Sequence, residues 1–324
     1  MKLKRRLSLT LAAAVLLAGL AAGHAVAQET VLRAAVFVPT NTVFGEMFGR
    51  FVTHVNNEGK GLVQINLVGG PSAIPSLELG NAVRTGVLDI AAVPPSFYAG
   101  NMAEADAVIM SPLTFKQQRA SGAWEALNKI TNQKMNSHYL AAYGEGIPFH
   151  IWTTKQPTSA NFQGWKLRTV PNYTAFFQAL GAAPITMPPG EVKTALERGV
   201  VDGYGWPYIG IFDLGWGGDT KYRVDPGFFN VVVNVLVNQN KWKALRDDQR
   251  AFLNRMGEWL ETDNTRWAAE KIASETKRQT DGGIRIVNLG PDYVKLAYSA
   301  YWTELTKRAP ESLAILRPLL ERKP

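Results

Sequence analysis

A chain of 324 residues with 46% hydrophobic and 19% charged residues is globular in composition, and it contains no cysteine. Neither disulfides nor thiolate metal ligands therefore support its fold. The formal charge of +8 overstates the basic bias, because Lys2, Lys4, Arg5 and Arg6 precede an apolar stretch, 7–22, and the small residues Ala25-Val26-Ala27. That order reads as a secretory signal peptide, 1–27, cleaved after Ala27. The apolar stretch falls short of the roughly 20 residues that span a bilayer. Its removal leaves a net charge near +4, which is no nucleic-acid footprint, so no nucleic-acid partner is expected. The remaining length suits two lobes rather than one small core.

In chain order, 31–38 is a β-rich run ending at Pro39, and 45–55 carries Phe48, Phe51, Val52 and Val55 at helical spacing. A strand over 62–68 stops at Gly69-Gly70-Pro71, a helix over 76–84 ends at Gly86, and a strand over 87–93 closes at Pro94-Pro95. The order β-α-β-α-β argues for an α/β lobe with a largely parallel sheet. The idea then repeats: strand 165–170, helix 174–180, strand 184–187, helix 191–198, and a strand opening at Val200. Gly86-Val87-Leu88-Asp89 and Gly199-Val200-Val201-Asp202 occupy matching places in the two runs. A β-branched run, 231–237, reads as a strand returning to the first lobe. From 245 to 280 one helical pattern persists for about 35 residues, roughly 50 Å at 1.5 Å per residue, long enough to lie along both lobes. Helices from Pro291 and around Ser312 finish the chain. The lobes are expected at 28–150 with 233–272, and at 151–232 with 273–324, joined by short crossings.

No catalytic constellation is present: no G-x-S-x-G elbow, Walker loop, H-E-x-x-H or G-x-G-x-x-G after a strand. After the signal, His54, His138 and His150 remain, none at ligand spacing with another. No metal and no cofactor are expected. Two residues stand out. In Gly164-Trp165-Lys166-Leu167-Arg168-Thr169-Val170-Pro171 the arginine falls at a strand's C-terminal end, and Asn172 is placed to cap the helix that follows. A planar guanidinium beside free helix N–H groups makes a carboxylate cradle. Trp206 lies just past a strand end, where open α/β sheets place ligands, within a segment, 204–229, that is unusually rich in aromatic residues.

These residues resemble the DctP-type solute-binding proteins of TRAP (tripartite ATP-independent periplasmic) transporters. The likeness is carried by Gly164-Trp165-Lys166-Leu167-Arg168, Leu180-Gly181-Ala182 with Pro184, Glu191-Val192 with Ala195-Leu196, and Gly199-Val200-Val201-Asp202-Gly203, with Gly86 to Asp89 before them and Asn238, Trp242 and Leu245 after. The resemblance implies a type II periplasmic-binding-protein fold, an α/β fold of two lobes with a ligand cleft and a long helix spanning both. It implies a periplasmic protein that captures a small-molecule carboxylate for the small and large membrane subunits of an ion-driven carrier, not an enzyme. Arg168 matches the family's carboxylate-pairing arginine. A polar position falls at Pro94, a position often occupied by Asn falls at Trp206, and a second arginine of some members has no counterpart in 148–152. The expected ligand is a monocarboxylate with an apolar or aromatic body. Arg168 would fix its carboxylate, Trp206, Pro189, Tyr173, Phe37 and Tyr98 would wall it, and Ser96 or His150 would add a polar contact. The same fold serving a sensor or chemoreceptor is the alternative. An exported enzyme is disfavoured by the absent constellation, and an adhesive protein by the absence of tandem repeats.

Overall fold

The computed structural model describes residues 29–321, so the signal-peptide segment lies outside the described residues. Two sheets organise the chain. The first holds β1 (Thr30–Val36), β2 (Val63–Gly69), β3 (Ile90–Val93), β4 (Ser137–Tyr143) and β10 (Val233–Asn238), in the order β2-β1-β3-β10-β4. The second holds β5 (Pro148–Thr153), β6 (Lys166–Thr169), β7 (Ala183–Thr186), β8 (Gly203–Pro207), β9 (Tyr222–Asn230) and β11 (Arg285–Asn288), in the order β11-β9-β5-β8-β6-β7. In each sheet three parallel strands are followed by an antiparallel strand from the other half of the chain: β10 beside β3, and β5 beside β8. Strands β3 and β10 are buried along their whole length, as continuous apolar runs covered on both faces should be.

The short G-V-x-D repeat is a structural one. Asp89 accepts the backbone N–H of Arg33 at 2.8 Å, and Asp202 accepts that of Lys166 at 2.9 Å. The N–H groups of the two aspartates return to the carbonyls of Arg33 and Lys166 at 3.1 and 2.7 Å. Each aspartate thus pins the start of one parallel strand to the loop that opens its neighbour. The two cores are built by one rule.

Helices cover both sheets: α1 (Val43–Glu58), α2 (Leu79–Thr85), α3 (Phe115–Ala120) and α4 (Ala123–Met135) on the first, α5 (Pro171–Ala179) and α6 (Pro189–Glu197) on the second. After α7 (Gln239–Ala244) comes α8 (Asp247–Asp281), 35 residues without a break. It grips the first lobe through Gln249 to the Leu62 carbonyl at 2.8 Å and Asp263 to Arg50 at 2.7 Å. It grips the second through Glu275, which accepts Gly210 N–H at 3.0 Å, and Gln279, which donates to the Tyr208 carbonyl at 2.9 Å. Between these, the Oδ1 of buried Asn264 accepts Gly144 N–H at 3.0 Å.

Gly144 lies in the crossing from β4 to β5, and Val231-Val232 form the crossing from β9 to β10. The two are tied by Val231 N–H donating to the Ile147 carbonyl at 2.9 Å. They pack so closely that a Cβ at Gly144, whose φ is +108°, would sit 2.4 Å from Val231 Cγ1. Helix α9 (Pro291–Arg308) packs on α5 of the second lobe and on the turn 103–110 of the first, and α10 (Pro310–Glu321), assigned to the second lobe from sequence, packs on α4 and the same turn. A tie across the lobe boundary closes the chain.

Candidate functional site

The parallel strands of both sheets aim their C-terminal ends at the space between the lobes, the place where α/β sheets put their ligands. Phe37 follows β1, Pro94 to Phe97 follow β3, Arg168 and Val170 lie at the end of β6, and Trp206-Pro207 end β8. With Tyr173 and Val231 to Val233 they enclose a cavity of about 40 Å³, room for about three waters. Its wall is mostly aromatic or aliphatic, with few polar groups, the usual distribution of a small-molecule site.

Arg168 dominates the chemistry. It is 1% exposed. Its Nε donates to the Met187 carbonyl and its Nη1 to the Gly205 carbonyl, both at 3.1 Å, while Nη2 has no partner. Among the described residues no carboxylate pairs with it. Burial pushes its pKa down to about 10, opposed by the nearby Tyr173 and Tyr204, so it stays charged at neutral pH. The guanidinium carbon lies 5.7 Å from the centroid of the Trp206 ring. Gly205 lets the Tyr173 ring close on this strand, because a Cβ there would stand 2.7 Å from that ring. Trp206 in turn donates from Nε1 to the Ile209 carbonyl at 3.1 Å and packs edge-on against Trp216 and Phe44.

Five of the residues expected from sequence come together here: Arg168, Trp206, Tyr173, Phe37 and Ser96. Three do not. Alternation along β5 gives the cavity to Phe149 and turns His150 away, where its Nδ1 lies 2.9 Å from the Val224 carbonyl and 3.1 Å from Asp225. Tyr98 ends a short 3-10 turn and is spent inside the first lobe, its hydroxyl accepting from Asn234 at 2.5 Å. Pro189 is used as the first residue of α6, where its missing N–H costs nothing. The cradle itself is also altered. Val170, not Asn172, caps α5, Pro171 has no N–H, and the Tyr173 N–H is taken by the Val170 carbonyl at 3.0 Å. Asn172 instead lines the cavity with an unpartnered Oδ1.

Sequence reasoning missed Asp106. It sits in the 3-10 turn Ala103–Met110 of the first lobe, fully buried and on the cavity wall. Its Oδ2 accepts the Tyr301 hydroxyl at 2.6 Å and its Oδ1 has no partner. Burial pushes its pKa up to about 7, against the opposing pull of the Tyr301 hydrogen bond and Arg308. The only hint in sequence is an acid inside an otherwise apolar run, 105–110. No group of acids and histidines arranged to hold a metal occurs among the described residues.

Two lobes with crossed terminal strands and one cavity between strand ends define a two-lobed binding receptor. The DctP model, bacterial extracellular solute-binding protein family 7, matches residues 34–305, and the chain belongs to that family, whose members serve TRAP transporters. It is 25% identical over 253 residues to a solute-binding protein of Roseobacter denitrificans, covering 75% of this chain and 77% of that protein. The structure of that protein, with bound L-galactonate, superposes with a TM-score of 0.78 at 17% identity, covering 91% and 99% of the two chains. A monocarboxylate 2-oxoacid-binding periplasmic protein of Nostoc sp. is 28% identical over 185 residues, 53% of this chain and 50% of that one. An extracytoplasmic solute receptor of Bordetella pertussis that binds pyroglutamic acid superposes with a TM-score of 0.75 at 19% identity, covering 90% and 98%.

Proposed function

We propose that the protein is the periplasmic substrate-binding subunit of a TRAP transporter and captures a small monocarboxylate with an apolar or aromatic body. It would deliver this ligand to the small and large membrane subunits for uptake driven by an ion gradient. The observation that carries the reading is Arg168, a buried guanidinium with one nitrogen free on the wall of an apolar cavity and no carboxylate of its own. A buried charge is strongly disfavoured unless paired, and a carboxylate ligand supplies the pair. The apolar wall supports a compact organic body over a polyhydroxylated chain, whose hydroxyl groups would find few partners. The names of the Nostoc and Bordetella relatives, one for monocarboxylate 2-oxoacids and one for pyroglutamic acid, support the same class.

A thermal-shift screen tests this directly. A ligand that binds only the folded form adds RT ln(1 + [L]/Kd), about 2.7 kcal/mol at a hundredfold excess over Kd. Monocarboxylates such as pyroglutamate, 4-oxopentanoate and benzoate are expected to supply the hits. A response confined to neutral sugars or simple cations would overturn the ligand class.

A further inference from the structure

The cavity has a second polar wall, opposite in origin to the first. Arg168 comes from the second lobe, whereas Asp106 comes from the turn Ala103–Met110 of the first. Its two oxygens are in different positions. Oδ2 is occupied by the Tyr301 hydroxyl, which reaches it from α9, and Oδ1 is buried and unpartnered on a residue that lines the cavity. A buried acceptor of this kind calls for a hydrogen-bond partner.

The surroundings decide which form of the carboxyl meets the ligand. On α9, Tyr301 donates to it, while Arg308 attracts it from a distance and is itself bonded to the Ala99 carbonyl at 2.7 Å. Tyr98 and Tyr173 face it from the turn Pro95–Tyr98 and from α5, and Glu104 of its own turn is turned to Lys134 at 2.5 Å. None of these gives it a cation in contact. When a carboxylate ligand neutralises Arg168, an ionised Asp106 would be a second buried anion on the same, mostly apolar cavity wall. The neutral acid avoids that cost. With Oδ2 accepting from Tyr301, the proton belongs on Oδ1 and points at the ligand.

We propose that Asp106 is a specificity-determining residue that meets the ligand as a neutral acid, donating its Oδ1–H to a hydrogen-bond acceptor on the ligand's body. This rests on the carboxylate reading above and narrows it to monocarboxylates that carry a carbonyl or equivalent acceptor away from the carboxylate: oxo acids and lactam acids. It also links binding to protonation. The free carboxyl loses its proton near pH 7 and the complex requires it, so affinity is full below about pH 7 and falls above it by up to about tenfold per pH unit.

Calorimetric titration with matched pairs tests this: pyroglutamate against cyclopentanecarboxylate, and 4-oxopentanoate against pentanoate, between pH 6 and 8.5. All four acids stay ionised over that range. In every pair that binds, the acceptor-bearing acid is expected to bind at least tenfold more tightly at pH 6, with the advantage shrinking toward pH 8.5. Asp106→Ala should erase the advantage, and Asp106→Asn, which keeps a donor, should retain it without the pH dependence. If Asp106→Ala does not fold, the Asn variant decides, and a surviving pH dependence overturns the proposal. Equal affinity within the pairs in the wild type also overturns it, and if that affinity is lost in Arg168→Ala the carboxylate reading still stands. Binding of neither pair would sink both.

Discussion

Taking a guanidinium out of water costs several kcal/mol unless an anion meets it. Arg168 is buried with two carbonyls for company, so the free protein holds it at a cost that a ligand removes. Trp206 has a different character. It touches the cavity, but it also packs at 4.7 Å on Trp216 and at 6.4 Å on Phe44, centroid to centroid. Its removal therefore opens the core as well as the wall. Trp206→Ala is expected to lose about 3–5 kcal/mol of stability in urea denaturation, whereas Trp206→Phe keeps most of the packing and weakens ligand binding. If the Ala variant kept wild-type stability, Trp206 would be a wall residue only.

At the scale of elements, the second lobe is laced by an ionic cluster where β5, β9 and α8 meet. Asp225 of β9 pairs with Arg223 at 2.8 Å and with His150 of β5 at 3.1 Å, and Arg223 continues to Gln279 of α8. His150 and Arg223 hold the Asp225 carboxyl far below the usual carboxylate range, outweighing its partial burial. A depressed folded-state pKa contributes stability that is fully present above the unfolded value, near 4, and is lost progressively as pH falls from there through the folded-state value. Urea denaturation at pH 7 and pH 3 should show Asp225→Asn less stable than the wild type at pH 7, with the difference smaller but still present at pH 3, which lies above the depressed folded-state value. Parallel loss in both proteins would mean the cluster adds no pH-dependent stability.

The same elements explain what was legible. Parallel strands, helix-ending glycines and the 35-residue helix follow from periodicity and turn chemistry, and the G-V-x-D repeat is written twice because two lobes solve one packing problem. Arg168 showed itself by its place before Pro171. His150 and Tyr98 lie away from the cavity because strand alternation does not say which face of β5 meets the ligand space, and a 3-10 turn such as Pro95–Tyr98 shows no periodicity at all. Asp106 was hidden because a 3-10 turn has neither helical nor strand periodicity, and its partner Tyr301 is 195 residues away. The strand β11 and the docking of α10 on the first lobe are likewise set by tertiary contacts that no local pattern encodes.

At the scale of the whole molecule, the two lobes meet around one cavity. The chain passes between the lobes at Gly144 and Val231 and again through the long helix and the C-terminal segment, Val43 N–H donates to Asp213 across the lobes at 3.1 Å, and the cavity takes its wall from both sides. On the function proposed above, a carboxylate held by Arg168 from the second lobe would also meet walls from the first and so hold the two lobes together. The most direct measurement is calorimetric titration of wild type, Arg168→Ala and Arg168→Lys with the monocarboxylate that gives the largest thermal shift. Losing one partner of a desolvated charge pair costs about 2–5 kcal/mol, so Arg168→Ala should bind roughly 30-fold or more weakly. Arg168→Lys should recover little, because an ammonium lacks the planar fork. Circular dichroism of both variants should stay native. Affinity in Arg168→Ala within about threefold of wild type would contradict the account, since the buried guanidinium would then not be what the ligand meets.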